Sequence, residues 1–187
     1  MAKHICPVWV GYLMASPLRR LLQNPETMLK PYVEPGMTVL DVGSAMGFFS
    51  LPLARMVGSS GHVVSIDVQE PMIRALDRRL AKAKLTARVE TRLCDPDRLG
   101  IDDLAGSVDL ALAFYVVHEV ASPSRLLSEI HAALKPGGRL LLSEPRGHVS
   151  SSEFEEATAT ARGAGFSVVD RPSLRRSYTA LLEKGGG

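Results

Sequence analysis

Cysteine is nearly absent from this 187-residue chain. The two present, Cys6 and Cys94, make neither a disulfide framework nor a zinc site, and they fit a reducing cytoplasm. An excess of charge is also missing. With 22 basic and 20 acidic residues the net charge is +2, too balanced to argue for nucleic acid or an anionic membrane on charge alone. No apolar run reaches the roughly 20 residues that span a bilayer. The nearest is ICPVWVGYLMAS, residues 5–16, broken by Pro7 and Gly11. Bulky Leu13 stands where a cleavage site at Ala15 wants a small residue, so the stretch reads as a buried N-terminal segment and not a signal peptide. Fixed-period repeats and low-complexity tracts are lacking, apart from the final GGG.

What is there suits a globular domain. Hydrophobic residues make up 45% and charged ones 22%, which excludes wholesale disorder. The length fits one domain that buries its own core without a staple. From Val33 onward, apolar runs of strand length alternate with stretches of helical period, the pattern of an α/β fold with a mostly parallel sheet. Expected strands are 37–42, 62–67, 88–94, 108–114 and 139–144, then two short ones at 166–170 and 177–183. The third alternates, with Val89, Thr91 and Leu93 on one face and Arg88, Glu90 and Arg92 on the other, which suggests a place near the sheet edge.

Helix signals fall between them. Pro71 opens a helix striped by Met72, Leu76 and Leu80, and Ser122–Pro123 opens another that should end at Lys135, before PGG. Ser150–Glu153 or Ser152–Glu155 offers a capping box for a helix running to about Gly163. Ser16–Pro17 and Asn24–Pro25 each look like a cap plus a first turn, so two short helices should precede the sheet. The expected organisation is an N-terminal helical cap, 1–32, and one domain, 33–184.

The sharpest local signal is VLDVGSAMGFFS, residues 39–50. A buried strand ends in Asp41, a turn carries Gly43 and Gly47, and a helical pattern follows. Such glycines permit positive φ and close approach of a ligand, while a helix N-terminus offers free N–H groups. A dinucleotide fingerprint requires G-x-G-x-x-G and a phosphate loop requires G-K-[ST]. This loop reads G-x-x-x-G, which points to a nucleoside without a phosphate chain. Asp67 ends the second strand, open to accept both ribose hydroxyls, and Asp95 ends the third, where a carboxylate can accept from an adenine amino group.

From these motifs the chain resembles class I S-adenosylmethionine-dependent methyltransferases over residues 33–184. VLDVGSAMG is similar to the family's first motif, SID with Asp67 to its ribose-binding acid, LCD with Asp95 to the adenine-side motif, VDLALAF to the fourth strand and LKPGGRLLLSE to the fifth. The resemblance implies a Rossmann-like methyltransferase fold: a seven-stranded, mostly parallel sheet with helices on both faces, its last strand antiparallel beside the fifth. It implies S-adenosylmethionine as cofactor and S-adenosylhomocysteine as product, with contacts at Asp41, Gly43, Ser44, Ala45, Gly47, Asp67, Val68, Asp95 and Phe114. The closest subgroup is the small-molecule type of quinone biosynthesis and arsenite methylation. Ala45 departs from the family's frequent G-x-G-x-G, and two cysteines fall short of the three or more that arsenite methylation uses.

The end of the fourth strand faces the transferable methyl in this family. Amino-group methyltransferases of DNA carry [DN]-P-P-[YFW] there; this chain has Ala113-Phe114-Tyr115-Val116, which argues against that class and supplies no acidic metal ligand. Tyr115, His118 and Glu119 remain, with His118 and Tyr115 as candidate catalytic residues for proton removal and substrate orientation. Transfer from a sulfonium is an in-line displacement that needs mainly alignment. Specificity would come from the N-terminal helices and the loop EPRGHVSS, 144–151. Trp9, Tyr12 and Met14 suggest an apolar lid or plain packing, and His4 with Cys6 is a weak two-ligand metal cluster. Arg74, Arg78, Arg79, Lys82, Lys84 and Arg88 form a basic stretch that most often is a solvated face. The expectation is a cytoplasmic, metal-independent methyltransferase with a small-molecule acceptor. An RNA or protein methyltransferase, or a cofactor-binding partner or sensor domain without turnover, is the alternative.

Overall fold

A computed structural model describes residues 24–186. The helix expected at Ser16–Pro17, the remainder of the 1–32 cap before residue 24, the Trp9–Tyr12–Met14 lid and the His4–Cys6 pair lie outside the described residues. The chain forms two compact units that divide between Cys94 and Asp95.

The first unit opens as the Asn-Pro signal predicts. The Asn24 side chain accepts hydrogen bonds from Glu26 N at 3.0 Å and Thr27 N at 3.3 Å, capping α1 (Pro25–Leu29). Then come β1 (Thr38–Val42), α2 (Ser50–Met56), β2 (His62–Asp67), α3 (Glu70–Ala83) and β3 (Val89–Leu93). β2 pairs in parallel with β1, Asp41 beside Ser65, and with β3, Asp67 beside Leu93. β1 and β2 are buried along nearly their whole length, as strands covered on both faces must be. The stripe Met72, Leu76 and Leu80 seats α3. As expected, a turn carries Gly43 and Gly47 and a helix follows, beginning at Ser50. Gly43, Ala45 and Gly47 all have φ between +47° and +80°, a backbone that cannot propagate a right-handed helix.

The second unit holds β4 (Val108–Phe114), α4 (Pro123–Ala133), β5 (Leu134–Pro145), α5 (Ser151–Gly163), β6 (Phe166–Asp170) and β7 (Ser177–Lys184), after a single 3₁₀ turn at Asp102–Leu104. β4 and β5 run parallel, Phe114 beside Ser143; β7 runs antiparallel to β5, Pro145 beside Ser177, and to β6. Ser150 and Glu153 form the reciprocal capping box of α5, and the Ser152–Glu155 alternative is not used. α4 stops at Ala133, two residues earlier than expected, because Leu134 is already extended and begins β5. Within the first unit the strand order is β3-β2-β1, with β3 at an edge, and within the second it is β4-β5-β7-β6, with the last strand antiparallel beside the fifth, as expected.

Candidate functional site

In the first unit the candidate residues gather at the carboxyl ends of β1 and β2. Asp41 is 2% exposed and accepts a hydrogen bond from Ser50 Oγ at 2.6 Å. Burial pushes its carboxyl from the usual 3.8 to about 7; the Ser50 hydroxyl opposes the shift and the charge of Asp67 adds to it. Asp67 is 7% exposed. Its Oδ2 accepts from Ala45 N and its Oδ1 from Gln69 N, both at 2.8 Å. Burial raises its pKa against the pull of the backbone N–H groups of Gln69, Ala45 and Val68. Asp67 therefore does not sit at an open strand end. It ties the glycine loop to β2, and each oxygen keeps a further lone pair.

The loop itself is pinned from several sides. Gly43 N and Ser44 N both donate to Ile66 O at 2.9 Å, and Gly47 N donates to Ser44 O at 2.9 Å. Arg79 on α3 donates from Nη1 to Met46 O. Ala45 is held at φ +47°, a conformation that residues other than glycine rarely adopt. A Cβ on Gly47 would lie 2.4 Å from Leu76 Cδ1 and 2.7 Å from Leu51 Cδ1. Gly47 thus has a packing reason, letting the loop pass between α2 and α3. Ser44 Oγ is buried with no hydrogen-bond partner, one of two such side-chain atoms among the described residues. Val68 and Leu93 are exposed apolar side chains following Asp67 and paired beside it, Leu93 at 55%.

These features fit an adenosyl cofactor bearing positive charge. A cation beside Asp41 and Asp67 favours their ionised forms. The buried Ser44 hydroxyl lacks a partner that a polar ligand would supply, and Val68 and Leu93 offer apolar surface to a purine. Three of the six basic residues expected on a solvated face turn out to be engaged: Arg74 pairs with Glu70, Arg79 holds Met46 O, and Arg88 reaches Ala54 O at 3.4 Å.

The second unit carries the others. Asp95 does not end a strand: it is exposed, two residues past β3, bridged through its backbone to Arg98. Phe114 is buried at the end of β4. Tyr115 follows at φ +63°, where its N–H donates to Ser143 O at 2.8 Å and its hydroxyl shares a 2.7 Å hydrogen bond with Ser177 Oγ on β7. His118, 27% exposed, does not cap a helix. Its Nδ1 lies 2.5 Å from Glu144 Oε2, while its Nε2 is 3.9 Å from Glu119 Oε1. Glu144 is 1% exposed, and its Oε1 accepts from Val117 N at 2.9 Å and His118 N at 3.3 Å. The Glu144 hydrogen bond raises the His118 pKa against desolvation, with smaller help from the charges of Glu119 and Glu153. Sequence reasoning missed Glu144 and Ser177 as site residues. Only pairing of β5 and β7 with the loop after β4 brings them there. Among the described residues no three His, Cys, Asp or Glu side chains group to hold a metal ion, and no helix is long and apolar enough to cross a membrane.

Comparison with known proteins gives these sites their context. An arsenite methyltransferase of Halobacterium salinarum is 34% identical over 110 residues, 59% of this chain and 27% of that protein. The ubiquinone/menaquinone biosynthesis C-methyltransferase UbiE of Bordetella parapertussis is 33% identical over 132 residues, 71% of this chain and 49% of its own. The chain thus spans about half or less of the length of these curated relatives. A solved structure, a SAM-dependent methyltransferase from Aquifex aeolicus, superposes with a TM-score of 0.84 at 26% identity, over 96% of this chain and 98% of that one. Residues 33–186 match the family described as Methyltransferase domain. That span takes in every strand from β1 to β7, and the chain belongs to the methyltransferase domain family.

Proposed function

We propose that this protein transfers a methyl group from S-adenosylmethionine to a small-molecule acceptor by in-line displacement without a metal, releasing S-adenosylhomocysteine. The observation that carries the reading is the pair of buried carboxylates, Asp41 on β1 and Asp67 on β2, beside a strained glycine loop with an unpartnered hydroxyl at Ser44. When bound, the cofactor supplies a methyl on a sulfonium, a group with a good leaving atom that needs alignment more than activation. The free lone pairs of Asp67 accept the ribose hydroxyls, Val68 faces the purine, and Gly43, Ser44, Ala45 and Gly47 shape the loop around the amino-acid moiety near Asp41. Asp95 and Phe114 are assigned to the adenine and methyl sides. His118 and Tyr115 serve the acceptor, His118 as base and Tyr115 as an orienting hydroxyl.

The small-molecule assignment draws on the names of the relatives, which describe a quinone-biosynthesis C-methyltransferase and an arsenite methyltransferase. Arsenite is set aside, since the chain has only two cysteines. Engagement of Arg74, Arg79 and Arg88 within the first unit weakens the case for RNA. We assign residues 1–32 to a cap over the 33–184 domain and place the protein in the cytoplasm. S-adenosylmethionine or S-adenosylhomocysteine should raise the melting temperature by mass action, while NADH at matched concentration should not. Stabilisation by NADH alone would overturn the assignment.

A further inference from the structure

We infer that Glu144 is a positioning residue for His118: it fixes the imidazole as the Nδ1–H tautomer, leaving Nε2 as a proton acceptor, so the acceptor substrate is one that must lose a proton as it is methylated. The inference rests on the function proposed above. It is carried by geometry within the second unit. Glu144 is buried at the end of β5, and its two oxygens are divided between tasks. Oε1 takes the backbone N–H groups of Val117 and His118, and Oε2 lies 2.5 Å from His118 Nδ1. A buried carboxylate can only accept, so Nδ1 must carry the proton in both the neutral and the charged ring. Nε2, 3.9 Å from Glu119 Oε1, is then the nitrogen left to take a proton.

The groups facing the ring are Glu144 from β5, Glu119 from the loop after β4, Glu153 from α5 and His148, whose ring centroid is 6.4 Å away. Three of the four are acids, so the imidazolium formed on taking a proton is stabilised where it forms. In the step itself the acceptor's X–H pair stays on X as X bonds to the methyl carbon. The C–S pair returns to sulfur, neutralising the sulfonium, and the proton goes to His118 Nε2. A C, O, N or S acceptor bearing a removable proton satisfies this balance. An acceptor with a lone pair and no proton to lose has no use for it.

A purely structural Glu144 would strap the loop 115–119 to β5 and nothing more, and Glu144→Gln separates the two roles. The glutamine carbonyl still accepts from Val117 N and His118 N. Its amide, however, donates toward Nδ1 and so drives the neutral ring to the Nε2–H tautomer. The ring nitrogens of ¹⁵N-histidine-labelled protein, titrated by NMR, read this directly and without a substrate. The wild type should show the Nδ1–H tautomer and a His118 pKa above the usual 6.5. Glu144→Gln should reverse the tautomer and reduce proton affinity about tenfold or more. An Nε2–H tautomer or an unraised pKa in the wild type overturns the inference by itself, even should the variant fail to fold. A folded Glu144→Gln with unchanged ring signals overturns it as well. Failure of S-adenosylmethionine to bind would instead remove the proposed function, leaving the ring titration to stand on its own.

Discussion

Asp41→Asn should gain stability relative to the wild type as pH rises, while weakening the hold on a cationic cofactor. The wild-type carboxyl titrates at about 7 when folded, against 3.8 as the usual value. Its folded pKa is raised, so its contribution to stability is fully present below pH 3.8 and is lost as pH climbs toward 7. Between those limits the folded state holds a proton that the unfolded chain has released, and stability falls by about 1.4 kcal/mol per pH unit. From pH 5 to pH 8 that amounts to about 3 kcal/mol, nearly all of it below pH 7. Asparagine has no such slope, keeps an oxygen for Ser50 Oγ, and buries an amide whose unmet donors cost about 1–3 kcal/mol at every pH. The difference between variant and wild type in urea midpoints should therefore grow by about 3 kcal/mol between pH 5 and pH 8 and then level off. Groups titrating in both proteins largely cancel from that difference. Parallel stability curves would refute the burial argument. Calorimetry supplies the functional half. At pH 6, where Asp41 is mostly protonated, binding of S-adenosylmethionine should release up to one proton, detected as a buffer-dependent enthalpy that Asp41→Asn abolishes.

Gly47→Ala meets Leu76 and Leu51 as well as a φ of +80°, and should cost about 2–4 kcal/mol in urea unfolding; a loss below 1 kcal/mol would mean the two leucines yield freely. Asp67→Ala removes the Ala45 and Gln69 anchors together with the ribose acceptor. Affinity for S-adenosylmethionine should fall by about 2–3 kcal/mol and loop amides near Ala45 should exchange faster, whereas unchanged affinity would take Asp67 out of the site. Ser44→Ala deletes a buried hydroxyl that has no partner, so it should stabilise the free protein by about 1 kcal/mol while lowering cofactor affinity, and a destabilised variant would contradict the orphan assignment. His118→Gln should reduce kcat by about 10²–10⁴-fold with cofactor affinity within a few-fold; persistence of kcat would leave alignment alone as the source of rate.

Strands that are continuously apolar and bounded by turn residues were legible to the residue. His62–Asp67 and Val108–Phe114 match their expected limits, because burial on both faces leaves little choice of register; Phe166–Asp170 matches as well, although Phe166 alone is buried there. The start of β5 was not. Pro136, Gly137 and Gly138 read as a breaker, yet the strand runs through them with a register shift against β4. Gly137 takes φ +74°, and a Cβ on Gly138 would sit 3.0 Å from Val108 O. The glycines shape a bulge that keeps the strands paired, and composition cannot distinguish that from a turn. Leu93 likewise broke its pattern: alternation put it on the covered face with Val89, but at the open end of an edge strand nothing covers it. Asp41 and Asp67 stood out locally through strand ends and a glycine loop. Glu144 also ended an expected strand, but nothing local tied it to His118, which is 26 residues away with no periodicity linking them.

Several features of the first unit that oppose folding gather at the stretch that would hold the cofactor. Asp41 and Asp67 are carboxylates in a desolvated site, Ala45 occupies a left-handed conformation, and Ser44 buries a hydroxyl without a partner. Each costs of order 1–3 kcal/mol or more, and each is relieved by a cationic, polar ligand except the Ala45 strain, which the Asp67 hydrogen bond holds in place. Gly47 and Arg79 belong to the opposite group, since their roles are complete without any ligand. The same neighbourhood therefore divides by sign. Substitutions at Gly47 or Arg79 should reduce stability first and binding only in consequence. Substitutions at Asp41 or Ser44 should weaken binding while leaving the free protein as stable as before or more so. A uniform loss of stability across all four positions would mean that the loop is a structural turn whose carboxylates merely tolerate burial.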